Sequence, residues 1–264
     1  MKFTALFLIP FIYSCSQVSI PYLGKQKPQI EMPADWNSLS DQDQLAHLSS
    51  FEKIYLGTEG VEQMPLKSQE QEYVNNLIYD IYHNNELFFK TSNTPRIHVI
   101  KNDIPFHFSL PGSSIFLSTG LINKYIKHEG ILAAIICYEM IRIDKSIYNK
   151  NVIVPIGFMT LERILGLNRI VTDKKIEVHK WAYYLMRRAG YEGEYYLQWL
   201  QTINRNTADF LTLIGDAASI SQEEAMFKAF VIRRSKVEDE RTIARKESSK
   251  NFYAFLFSVK DRNI

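Results

Sequence analysis

The segment from Ile131 to Ile143 constrains this chain more than any other. It opens with the uninterrupted apolar run Ile131-Leu132-Ala133-Ala134-Ile135-Ile136-Cys137, and it carries Glu139 and Arg142 shortly afterwards. A helix that is apolar all round lies either in a protein core or in a membrane. The run stops far short of the roughly 20 residues that a bilayer span needs. The segment therefore predicts a central buried helix. Its two charges, three residues apart, share a face. Burying either one unpaired costs several kcal/mol, so an ion pair inside the core is expected. The competing reading, a simple pair on a partly exposed face, fits poorly with the apolar neighbours.

Composition supports a packed domain. The 264 residues are 46% hydrophobic, with 16 Phe and 15 Tyr, which excludes disorder as a description of the whole. The formal net charge of +2 is too small for a protein that lives by neutralising phosphates, so no nucleic-acid partner is expected. Two cysteines, Cys15 and Cys137, exclude a disulfide-stapled scaffold and a four-cysteine zinc site.

Periodicity predicts helices over Ser38–Leu56, Ser68–Phe89, Leu121–Asp144, Val171–Ala189, Glu194–Ile203 and Ser221–Arg245. Alternation and turn residues predict extended segments at Arg96–Ile100, Phe106–Leu110 and Ser114–Ser118. The aromatic run Phe252–Phe257 reads as a strand or docking element, and Val152–Leu161 is a second apolar run too short for a span.

The N-terminus implies a compartment. Met1-Lys2 precedes an apolar stretch from Phe3 to Tyr13, of signal-peptide length. It ends in Ile12-Tyr13-Ser14-Cys15, which resembles a bacterial lipobox. Residues 1–15 are read as a lipoprotein signal ending at a lipidated Cys15, and 16–36, with Pro21, Pro28 and Pro33, as a tether. A plain secretory signal is the alternative. Lipidation at Cys15 with Ser16 behind it implies a membrane anchor in the cell envelope, on an outer membrane facing the periplasm. Residues 37–264 form the domain, with a charged C-terminal extension. The basic stretch Arg233-Arg234-Ser235-Lys236 is expected on a solvated helix face or against anionic head groups.

Three patches, in order, carry a family resemblance. They are Leu110-Pro111-Gly112 leading through Ser114–Ser118 to Gly120-Leu121, Glu129-Gly130-Ile131 through Tyr138-Glu139, and Glu177-Val178-His179 followed by Arg188-Ala189-Gly190-Tyr191. Over about residues 51–205 the chain resembles the HtpX-like, CAAX-prenyl-protease-type zinc metallopeptidases, peptidase family M-48, in their periplasmic lipoprotein branch. The resemblance implies an α+β, zincin-like (gluzincin-type) fold, mainly helical, with a small β-sheet beside the active-site helix. It also implies a His-Glu-x-x-His helix that binds zinc, with the motif Glu as general base. Carried over, the base is Glu139, the third ligand is Glu177, and the two histidine positions fall on Tyr138 and Arg142.

Arginine cannot coordinate a metal, and tyrosine does so only as phenolate. The resemblance thus implies a degenerate centre in which Glu139 is vestigial and no metal is expected. Removing zinc would leave Glu139 facing Glu177. Arg142 is expected to lie between them in place of the ion, with Tyr138 filling space and hydrogen-bonding one carboxylate. The cleft at Phe106, His107, Phe108, Ser109 and Leu110 is expected to survive and to pair with extended polypeptide. The expected role is binding of envelope or outer-membrane polypeptides, or of a partner protease. The alternatives are a divergent metalloendopeptidase that places zinc or another metal on Glu177, His179 or His107, and a purely structural lipoprotein. His179 is otherwise a surface or supporting residue, His98 and His107 structural, and Cys137 no catalytic thiol.

Overall fold

The computed structural model describes residues 41–89, 94–149, 159–235 and 246–262. The expected signal, Cys15 and the tether lie outside them, as do most of Val152–Leu161 and residues 236–245.

Four short strands form one sheet in the order β1-β2-β4-β3, with β1 at Gln63–Met64, β2 at Arg96–Ile100, β3 at His107–Leu110 and β4 at Ser114–Ser118. β2 and β4 run parallel, while β1 and β3 pair antiparallel at the two edges. The tight turn between β3 and β4 uses Gly112 and Ser113, both at positive φ, which is where glycine is favoured. β4 runs straight into α4 (Thr119–Tyr125), whose first turn is capped by Ser118 accepting from the Leu121 N–H. Gly120 is pinned here, since a Cβ would stand 2.2 Å from the Asp103 carbonyl oxygen.

The buried helix is present as α5, Glu129–Lys145, with every side chain from Glu129 to Arg142 buried. It packs against β3 and three helices: α3 (Ser68–His83), α7 (Thr172–Arg188) and α8 (Gly193–Arg205). The single helix expected over Leu121–Asp144 is two, because the chain turns at Ile126–His128 before α5. Ser146 ends α5 in the left-handed conformation, and the Ile147 N–H returns to the Arg142 carbonyl at 2.9 Å.

The first expected helix is likewise divided, into α1 (Asp41–Ser49) and α2 (Phe51–Leu56). The hydroxyls of Ser49 and Ser50 turn back onto the carbonyls of Ala46 and His47, a local bond that competes with helix propagation. α3 stops short of Phe89 for a related reason, since the Asn84 and Asn85 amides bond the carbonyls of Asp80 and Ile81. A 3₁₀ turn at Glu86–Phe88 follows.

Two short helices went unread in the sequence, α6 (Leu161–Asn168) and α9 (Thr207–Ile214). The C-terminal aromatic run is no strand. After α10 (Ala217–Ser235) it forms α11, Lys250–Asp261, which buries Phe252, Phe255 and Val259 at helical spacing and packs against α3 and α4. Ser249 caps it, and the Ser249 N–H donates to Glu129 at the start of α5. β-propensity in aromatics reflects packing surroundings more than backbone preference, and here the packing is helical. The fold is therefore a mixed α+β arrangement, mainly helical, with one small four-stranded sheet.

Candidate functional site

The site is built where β3, α5, α7 and α10 meet. Side chains alternate along β3, so Phe106, Phe108 and Leu110 enter the aromatic core that also holds Tyr55 and Phe116. His107 and Ser109 point the other way, onto α5. Glu139, fully buried at 0% exposure, receives both: His107 Nδ1 donates to Oε1 at 2.6 Å and Ser109 Oγ to Oε2 at 2.7 Å. Arg142 Nη1 donates to the same Oε2 at 3.2 Å, and its Nη2 reaches the Ile147 carbonyl at 3.3 Å. The guanidinium lies near the rings of Tyr138 and Tyr148, at 5.8 and 5.4 Å from their centroids.

Burial alone would raise the Glu139 carboxyl. The Arg142 charge and the donors from His107 and Ser109 outweigh it and hold the carboxyl below the usual range. A general base should sit near the working pH. Glu139 is instead a fixed anion with both oxygens engaged.

A second cluster lies behind Tyr138. His179 on α7 stacks on that ring at 4.9 Å, and its Nε2 lies 3.4 Å from Glu223 Oε2 on α10. Lys175, one helical turn before His179, donates to the other Glu223 oxygen at 2.7 Å. Nε2–H donates to the Glu223 carboxylate, and with burial favouring the neutral ring, Nδ1 accepts from the Tyr196 hydroxyl at 2.9 Å. Burial is the main influence that lowers the His179 pKa, partly opposed by Glu223, while Lys175 adds to it. Glu223 is held below the usual carboxylate range because its bonds and charges from His179 and Lys175 exceed the effect of burial.

Lys175→Met should therefore shift the burden onto the imidazole. In an NMR titration the His179 ring is expected to titrate at higher pH than in the native protein, since a lowering charge is gone and Glu223 needs a counter-ion. An unmoved titration would show that Lys175 and His179 do not share that carboxylate.

The structure brings Tyr138, Glu139, Arg142, His107, Ser109 and His179 together. It does not bring Glu177. That side chain is 53% exposed and pairs with Lys174 at 3.0 Å, lining a separate groove of ≈ 670 Å³ with Trp181 and Tyr148. The expectation that Arg142 bridges Glu139 and Glu177 is thus corrected. Of these two carboxylates Arg142 binds Glu139, and the inward residues of α7 are Lys175 and His179. Helical geometry explains this: positions 175, 179, 182 and 186 face the core, and 177 lies about 200° round from 175.

The expected cleft is also corrected. All of Phe106, His107, Phe108, Ser109 and Leu110 are buried. β3 is an edge strand, with α5 on the side that His107 and Ser109 line and α6 also packed against it, so the buried segment forms no open cleft. The space beside Glu139 is a cavity of ≈ 50 Å³, room for a few waters and far below the roughly 300 Å³ at which ligand pockets begin.

Among the described residues no three His, Cys, Asp or Glu side chains are grouped to hold a metal ion. Zinc would need free deprotonated donors, but Glu139 and His179 are engaged by other side chains, and the inward positions beside them hold a buried phenol, a guanidinium and an ammonium. The donor set does not fit the metal. Cys137 is buried and its thiol pKa is raised by desolvation, the opposite of a reactive cysteine. His98 stacks on Phe116 and lies against Glu52 and Gln63, a structural role. No protein-family model matches the chain, and no curated protein matches it either.

Sequence reasoning missed Lys175 and Glu223, and it named Ser109 only as a cleft residue, not as a partner of Glu139. Lys175 was within reach, four residues before His179, and so was the shared side of Ser109 and His107, two apart on a strand. Glu223 gave no such signal, as it joins only through the packing of α10 against α7.

Proposed function

We propose that this protein is a non-catalytic, metallopeptidase-like lipoprotein of the cell envelope, in which a zincin-type centre has been replaced by two internal ion pairs. It works by binding, with an envelope or outer-membrane polypeptide or a partner protease as its target. The observation that carries this reading is the occupancy of the central helix. The residue at the position of the base, Glu139, is held ionised by Arg142, His107 and Ser109, and the inward position on the later helix is a cation, Lys175. A cation and an anion in each cluster supply the balance that a divalent ion would give among carboxylates. The lipid anchor at Cys15 and the outer-membrane location belong to the same proposal and rest on the N-terminal residues.

The test pairs element analysis of the purified protein with a casein digestion assay and a crosslinking pull-down from envelope fractions. The expected outcome is substoichiometric zinc, no chelator-sensitive cleavage, and a crosslinked partner that Glu139→Gln leaves in place. One zinc per chain with cleavage abolished by chelator and by Glu139→Gln would establish the divergent metalloendopeptidase instead.

A further inference from the structure

The cavity beside Glu139 is lined by three side-chain cations and two carboxylates: Arg142, Arg169 and Lys175 against Glu139 and Glu223. Glu139 answers Arg142, and Glu223 answers Lys175. Arg169 has no carboxylate partner among the described residues, and its one side-chain hydrogen bond there is from Nη2 to the Thr212 carbonyl at 2.5 Å. The lining therefore carries at least one positive charge in excess.

Its donors are also unfilled. Among the described residues, Nε of Arg142, a residue only 2% exposed, has no hydrogen-bond partner, and neither has Nε of Arg169. A buried donor left unsatisfied costs about 1–3 kcal/mol, and more when it belongs to a charged group. Two such donors and an unbalanced charge on the residues of one small cavity favour an anion there.

The backbone makes room for this arrangement. Gly215, at φ +76, lies so close that a Cβ would stand 2.7 Å from Arg169 Nε. Any larger residue there would push the guanidinium away from its place. Arg169 also lines the larger groove, which puts it on the wall between cavity and surface.

We propose that this cavity binds one small monovalent anion, of chloride to formate size, held between Arg142 and Arg169. Size sets the class. A space of ≈ 50 Å³ admits a halide or the smallest carboxylate with a water beside it, the water serving the unpartnered Asn168 Oδ1. A sulfate or phosphate would bring two charges to a site with room for about one. The inference stands on the cavity itself and holds whether or not the chain is a peptidase relative.

The test is thermal melting of the purified protein at constant ionic strength, with gluconate exchanged for chloride, bromide or formate. A ligand that binds only the folded state raises Tm in proportion to the logarithm of its excess over Kd. The expected result is a saturable gain of about 2–4 °C with the small anions and none with gluconate or sulfate. Arg169→Gln is expected to abolish the gain. Crystals of the native protein soaked in bromide decide the matter without any variant, with an anomalous peak expected in the cavity lined by Arg142 and Arg169. Equal melting in chloride and gluconate would overturn the proposal. So would bromide peaks confined to surface lysines, an adventitious ion only.

Discussion

Arg142→Met is expected to destabilise the domain by about 3–5 kcal/mol, because it leaves a buried carboxylate without its charged partner. For a domain of this size that corresponds to a fall in Tm of about 10 °C. Methionine is the right replacement, since it fills much of the arginine volume and confines the loss to charge and hydrogen bonds. A buried pair removed together costs less than one partner removed alone, because the uncompensated charge goes with it. The double variant Glu139→Leu/Arg142→Met should therefore be more stable than Arg142→Met by at least about 1 kcal/mol, despite carrying one more substitution. Chemical denaturation of the wild type, both single variants and the double variant closes the cycle. Strict additivity would mean that the two side chains do not act on each other, and that Arg142 serves mainly through its contact with the Ile147 carbonyl.

Acid should unfold the protein in two stages, which the buried network sets. Burial depresses the pKa of His98 and His179 below the imidazole reference of 6.5. A group depressed in the folded state gives stability that is fully present above its unfolded pKa. That stability is lost as pH falls toward the folded value, because the unfolded chain takes up the proton first. Stability should thus be level at neutral pH and begin to decline below about 6.5, where the unfolded chain protonates both imidazoles. Glu139 and Glu223 are also depressed, from a reference of 4.5. Their contribution persists down to that range and then falls steeply. Denaturant titrations from pH 8 to pH 3 check this directly, since the slope of stability with pH counts the protons taken up on unfolding. His179→Gln should make the upper stage shallower, leaving the part due to His98, and should weaken the Glu223 share of the lower one. A curve level to pH 4 in the native protein would show that the imidazoles titrate alike in the folded and unfolded chain.

The sequence made the centre of this molecule readable and its periphery less so. The apolar run ending in Cys137 could only be a core helix, and Glu139 and Arg142 on it had to be paired there. Strands β2 and β4 were legible from alternation, to the residue. What failed has physical causes. Glu177 was chosen as the partner of Glu139 from its place in a resemblance, but the turn of α7 carries it outward and Lys175 inward. The segment Phe106–Leu110 read as an open cleft because it is an edge strand, and nothing local announces that α6 packs against it. Phe252–Phe257 looked extended by composition, while its spacing of buried positions is helical. Glu223 enters through a contact between distant helices, which one sequence does not display.

The account turns on Glu139 being a permanent counter-ion and not a base in waiting. The side-chain carboxyl ¹³C shift of Glu139, followed against pH in the folded protein, measures this without a substrate or a variant. The carboxyl is expected to stay ionised throughout the neutral range and to begin protonating only below the ordinary carboxylate value, as the domain starts to unfold. A titration centred between about pH 6 and 7, the range of a working general base, would contradict it.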